Sequence, residues 1–150
     1  MQHRAMPWLT FLGALPFVVS ALALAAGWGF PQLPLLHDML GWKLLLLSYG
    51  AIILSFIGGT HWGFALREEA CFCAFRRTIT SNLIALIGCA CLLLANQTLA
   101  LWIMSASFAA LGIADRALTR RSIFPAWYGA LRTRITLLVV PSLMIGAFYG

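Results

Sequence analysis

Leu44-Leu45-Leu46-Leu47-Ser48-Tyr49-Gly50-Ala51-Ile52-Ile53-Leu54-Ser55-Phe56-Ile57-Gly58-Gly59-Thr60-His61-Trp62-Gly63-Phe64-Ala65-Leu66 carries no Asp, Glu, Lys or Arg along its whole length. A helix needs about 20 mostly apolar residues to cross the hydrocarbon of a bilayer. This run is long enough, and it is bounded by Lys43 on one side and by Arg67-Glu68-Glu69 on the other. It therefore predicts a transmembrane helix over 44–66, and the rest of the chain is read outward from it.

Before it lies an apolar run at 8–28, interrupted by Pro16. Proline is tolerated inside membrane helices, where it introduces a kink. Arg4, the apolar stretch and Ala21-Leu22-Ala23 also match the layout of a cleavable signal peptide, although the run is long for that purpose. The downstream topology is the same in either case. A connection follows with Pro31, Pro34, Asp38 and Gly41. After the decisive run, further apolar segments lie at 78–95, 99–114 and 135–149. Asn96-Gln97 makes a tight hairpin between the first two, and a long basic segment at 115–134 precedes the last. The expectation is all-α: one domain over 1–150, a polytopic five-helix transmembrane bundle. No repeat and no alternation of the β-barrel type is present.

Composition agrees. The 150 residues are 62% hydrophobic and 9% charged, with a net charge of +6. Too few polar side chains exist to cover a soluble fold of this size, and no basic domain is available to present charge to nucleic acid. Instead the cations are sorted by side. If successive helices alternate in direction, Arg4, Arg67, Arg76, Arg77, Arg116, Arg120, Arg121, Arg132 and Arg134 share one side, and Lys43 stands alone on the other. Lys and Arg mark cytoplasmic loops, so the amino terminus is expected inside and the carboxyl terminus outside, in a bacterial inner membrane. Trp8, Trp62 and Trp127 fall near one boundary, and Trp28, Trp42 and Trp102 near the other, as in an aromatic belt.

Several side chains invite a functional reading. Ala51, Ser55, Gly59 and Gly63 recur every four residues, a small-residue pattern that lets membrane helices approach closely. Packing within the chain, a homo-oligomer or a second membrane protein would each use it. His61 lies well inside the helix end, and an ionisable group at membrane depth is a site candidate. A satisfied imidazole packed on a neighbouring helix is the plainer alternative. Asp115 stands where the fourth apolar run stops, at a helix end whose partial negative charge disfavours an acid. It calls for a cationic partner, with Arg116, Arg132 and His61 as the choices. Asn82 has a matching depth, so His61, Asn82 and Asp115 could form one polar layer. Pro125-Ala126-Trp127-Tyr128-Gly129-Ala130-Leu131-Arg132 interleaves arginine with aromatics, which suits an interfacial segment on anionic lipid headgroups or a lid over that layer. Ligand-binding candidates are thus His61, Asn82, Asp115, Trp127, Tyr128 and Arg132. Cys71/Cys73 and Cys89/Cys91 lack the spacing of a zinc site and read as small apolar residues. His3 and His37 belong to opposite sides and cannot join His61. No metal and no cofactor is expected.

The block from Ser48 to Gly59, continued by His61-Trp62-Gly63, resembles the signature of a family of small bacterial membrane proteins of unknown function that includes the mitochondrial transmembrane protein sixty-nine. Leu12-Gly13-Ala14-Leu15-Pro16-Phe17 and the residues Pro125, Trp127, Tyr128, Leu131 and Arg132 are similar to it as well. The resemblance implies a bacterial inner-membrane location, near the respiratory chain, and implies no activity. No nucleophile–base pair, carboxylate pair or phosphate loop is present. The leading expectation is a non-enzymatic accessory or assembly partner of a membrane complex, and the alternative is a binding or transport protein for a small amphipathic ligand such as a quinone or lipid.

Overall fold

The computed structural model describes residues 2–31, 41–66 and 72–149. These form five helices: α1 (Gln2–Ala25), α2 (Trp42–Ala65), α3 (Phe72–Leu93), α4 (Gln97–Arg120) and α5 (Ala126–Tyr149). No strand occurs among the described residues. In hydrocarbon every backbone N–H and C=O must be satisfied within its own segment, which a helix achieves. Among the described residues four stretches are long and apolar enough to cross a membrane, namely Trp42–Ala65, Ala74–Leu93, Gln97–Arg120 and Ala126–Tyr149, and α1 contributes a shorter apolar stretch, Thr10–Ala25. The connection beyond Pro31, the Arg67–Cys71 connection, and the side chains of His3, Arg4 and Cys73 lie outside the described residues, as do His37 and Asp38.

Each helix packs on its neighbours in sequence, α1 closes the ring against α5, and α2 meets α4 across the middle. The core is one cluster that includes Phe17, Leu46, Leu47, Leu54, Leu101, Met104, Phe108, Val139 and Leu143. Large apolar side chains such as Ile52, Phe56, Leu86, Ile113, Leu137 and Phe148 face outward. In a multi-pass membrane protein that outer surface contacts lipid.

Local signals set the ends. The Asn96 side chain accepts from the Leu99 amide at 3.0 Å and caps α4, so the Asn96-Gln97 hairpin forms where the sequence puts it. At the end of α1, Trp28 N–H bonds to Ala23 C=O at 2.9 Å and Gly27 N–H to Leu24 C=O at 3.2 Å. That double closure needs a left-handed residue, and Gly27 supplies it with φ 67. The same closure ends α4, where Ile123 N–H reaches Leu118 C=O and Ser122 N–H reaches Thr119 C=O, both at 3.0 Å. Here the left-handed residue is Ser122, φ 58.

This second closure corrects the expectation for the basic segment. Residues 115–134 are not a long connection. α4 continues through Arg120, and α5 starts at Ala126, where the Pro125 carbonyl accepts from Tyr128 and Gly129. Asp115 is therefore inside a helix and not at its end.

The expected small-residue stripe also changes. Four residues turn an α-helix by about 400°, so a spacing of four drifts by about 40° per step. Ala51 is buried, Ser55 is half-buried, and Gly59 and Gly63 are exposed with nothing within 4 Å of an added Cβ. A spacing of seven drifts by only about 20°, and that spacing makes the contacts. On α2, Ala51 faces Gly88 of α3, and Gly58 faces Ser81. An added Cβ would lie 3.3 Å from the Ala51 carbonyl oxygen at Gly88 and 3.3 Å from the Ser81 carbonyl oxygen at Gly58. The α4–α5 seam repeats the device. Gly112 receives Thr136, and Gly129 receives Thr119, with Thr Oγ1 at 2.8 Å and 2.5 Å from the respective would-be Cβ positions.

Candidate functional site

The close α4–α5 seam and the α2–α4 contact bring three polar side chains together at one end of the bundle. Asp115 sits one turn before Thr119 on α4. Its Oδ1 lies 2.8 Å from His61 Nε2 on α2, and its Oδ2 accepts from Arg132 Nε on α5 at 2.6 Å. The three residues are 0% (Asp115), 2% (His61) and 5% (Arg132) exposed. A buried carboxylate without partners would be very costly, so one acid ties three helices. The two formal charges of Asp115 and Arg132 cancel. Arg132 Nη2 is buried and has no hydrogen-bond partner among the described residues. A guanidinium carries five N–H donors, so this end of the fork is a donor that no described residue satisfies.

Aromatic rings cover the network. Phe124, in the turn between α4 and α5, is 2% exposed. Its ring centroid lies 5.5 Å from that of His61, 4.4 Å from Phe64 and 5.1 Å from Tyr128. The Ser122 closure turns the chain sharply enough to fold Phe124 back over the helix ends. Tyr128 Oη lies 3.3 Å from Thr60 Oγ1, and Thr60 donates to the Ile57 carbonyl at 2.7 Å, which leaves Tyr128 as the donor between the two hydroxyls.

The structure joins His61, Asp115 and Arg132, with Tyr128 close above them. Trp127 packs edge-to-face on Tyr128 at 6.1 Å but stays about half exposed. Asn82 does not join. It is exposed on α3 and donates to the Thr78 carbonyl of its own helix at 3.1 Å, because Ser81 and Ile84 occupy the face that α3 turns to α2. Arg132, placed by its sequence among interfacial arginines, is turned inward. Phe124 is the residue that sequence reading passes over. Its only signal is an Ile-Phe pair before Pro125, ahead of a helix. Cys91 is buried and Cys89 exposed, both as free thiols. Among the described residues no group of three or more His, Cys, Asp or Glu could hold a metal.

At the opposite end, Trp42 Nε1 donates to the Trp28 carbonyl at 3.0 Å, and Lys43 Nζ donates to Thr98 Oγ1 at 3.0 Å. That end is tied by hydrogen bonds without a described ion pair.

Comparison with known proteins identifies the family. No solved structure matches the chain. Transmembrane protein 69 of Xenopus tropicalis is 32% identical over 145 residues, which cover 91% of this chain and 51% of that protein. The chain thus spans about half the length of that curated relative. The family described as "Protein of unknown function (DUF3429)" matches residues 2–148. With multiple apolar helices and a match across nearly its full length, this multi-pass membrane protein belongs to the DUF3429 family.

Proposed function

We propose that the protein is a non-enzymatic binding protein for a small amphipathic ligand, held at the His61–Asp115–Arg132 end of the bundle. The observation that carries this reading is the buried Arg132 Nη2, which has no acceptor among the described residues. An unsatisfied buried donor costs about 1–3 kcal/mol, and a ligand oxygen that moved the covering side chains aside to reach it would recover that. Because Asp115 and Arg132 already balance in charge, a neutral acceptor fits better than a second anion. A quinone-type carbonyl on an apolar tail has that chemistry. Its ring would lie against Tyr128 and Trp127 and its tail in lipid. Nothing in this reading requires bond making or breaking by the protein.

A second reading is favoured by a different observation. Gly59 and Gly63 form an outward face on α2 with none of the described residues against them, and small residues are what close helix contacts in lipid use. An accessory role on another membrane protein, or a homo-oligomer, would employ that face. Purification in mild detergent followed by identification of everything that co-purifies separates the two. A stoichiometric amphiphile without a protein supports the first reading. A stoichiometric protein with no amphiphile supports the second and overturns the first.

The site end is assigned to the cytoplasmic side of a bacterial inner membrane, with the amino terminus inside. Support comes from the arginines, since Arg76, Arg77, Arg116, Arg120, Arg121 and Arg134 lie at the helix ends near the site, and Lys43 lies at the other end. Reporter fusions after Gly150 are expected to be active only outside the cytoplasm, and fusions within 67–71 only inside it. A cytoplasmic carboxyl terminus would contradict the assignment.

A further inference from the structure

On the outer side of the α4–α5 seam lies an open groove of about 410 Å³. It is walled by Arg116 and Arg120 of α4 and Arg134 of α5, with Thr119, Gly129 and Thr133 as its floor. The floor is low for a reason already seen. Thr119 packs into the notch at Gly129, so the helices meet through short side chains while the arginines rise on either side. Both threonine hydroxyls are committed as donors, Thr119 to the Asp115 carbonyl at 2.8 Å and Thr133 to the Gly129 carbonyl at 2.9 Å. The donors left for a ligand are therefore guanidinium N–H groups. Among the described residues, none of Arg116, Arg120 and Arg134 forms an ion pair, and Asp115, the one acid nearby, is taken by Arg132 and His61 inside the bundle. None of the described residues that line the groove is an acid.

Depth points to one class of occupant. α4 has 24 residues, about 36 Å of helix against a hydrocarbon core of about 30 Å. The three arginines stand within about three turns of the helix ends, where long basic side chains reach the phosphate level. One turn deeper on the same two helices, Ile113 and Leu137 are among the most exposed apolar side chains. A cationic mouth above an apolar wall complements an amphiphile with an anionic head.

We infer that this groove is a site for the phosphate of an anionic phospholipid, gripped by Arg116, Arg120 and Arg134. It lies on the opposite side of the seam from the buried network and holds whether or not an amphipathic ligand binds there. Basic pockets between membrane helices recognise such headgroups through guanidinium–phosphate hydrogen bonds, which can be bidentate.

The test uses the full chain in phosphatidylcholine nanodiscs with and without phosphatidylglycerol, reading retained lipid by native mass spectrometry and thermal stability by circular dichroism. Phosphatidylglycerol is expected to be retained and to stabilise. Arg120→Gln/Arg134→Gln should weaken that preference about tenfold or more, at roughly 1 kcal/mol per cation, while melting as the parent does in phosphatidylcholine alone. Arg120→Lys/Arg134→Lys should keep much of it. Arg76→Gln/Arg121→Gln removes the same charge from outside the groove and should change it little. Equal losses in both glutamine pairs would make the effect general surface charge and overturn the site. An unchanged preference in Arg120→Gln/Arg134→Gln would overturn it too. Inorganic phosphate reproducing the stabilisation in phosphatidylcholine discs would overturn the lipid as occupant.

Discussion

Asp115→Ala is expected to be the most damaging single substitution at the polar end, costing about 3–5 kcal/mol. The loss is not simply that of two hydrogen bonds. Arg132 would remain buried between helices with its charge uncompensated, and His61 would lose the acceptor at 2.8 Å. Asp115→Leu/Arg132→Met removes both charges together and should be far milder than Asp115→Ala, since replacing a buried pair by apolar groups of similar size is often neutral. His61→Ala, by contrast, should cost only about 0.6 kcal/mol, the average for a hydrogen bond between membrane helices. Midpoints of thermal unfolding in a fixed detergent rank the three. A double variant as unstable as Asp115→Ala would show that the network is not held by charge balance.

The second large effect is expected at Gly129. A Cβ there would fall 2.5 Å from Thr119 Oγ1 and 2.6 Å from its Cγ2. No real contact is that short, and Thr119 cannot swing freely because its hydroxyl is bonded to the Asp115 carbonyl. Gly129→Leu must therefore push α4 and α5 apart, at about 1–3 kcal/mol or more. The separation would also pull Arg132 from Asp115, three residues and one turn away. Gly59→Ala is the contrast. With nothing within 4 Å, it should gain about 0.5–1 kcal/mol from reduced backbone entropy in the unfolded chain. The same unfolding measurement decides, and equal midpoints for Gly129→Leu and Gly59→Ala would refute the seam.

Apolar run length located every helix, because the bilayer requirement acts on each segment alone. It misplaced the inner ends of α1, α3, α4 and α5 for the same reason: α1 begins at Gln2 rather than 8, and α3 at Phe72 rather than 78. Asp115, Arg116, Thr119, Arg132 and Thr133 end a hydrophobic run but not a helix. Their backbone hydrogen bonds continue, and their side chains find partners that only the folded bundle supplies. The partnership of His61 and Asp115 was visible as an open choice. The role of Arg132 in it could not be separated from those of the other arginines, since nothing local distinguishes an inward guanidinium from an outward one. Helical drift divides the Ala51–Gly63 stripe, turning Ala51 into the bundle and Gly59 and Gly63 outward, and the seven-residue pairs that pack within the chain, Ala51/Gly58 and Gly112/Thr119, are too sparse to stand out among 13 glycines. Depth alone suggests Asn82, and depth fixes a level in the membrane but not a direction around the helix.

In the proposed function Arg132 has two jobs, with Nε bound to Asp115 and Nη2 meeting a ligand oxygen. Arg132→Lys divides them. A lysine keeps the charge opposite Asp115 but lacks the second arm of the fork. Native mass spectrometry of the parent and of Arg132→Lys, prepared side by side, reads the consequence directly. The parent is expected to carry a stoichiometric small-molecule adduct, and Arg132→Lys to be folded and to have lost it. The same adduct on both proteins, or none on the parent, would contradict the account.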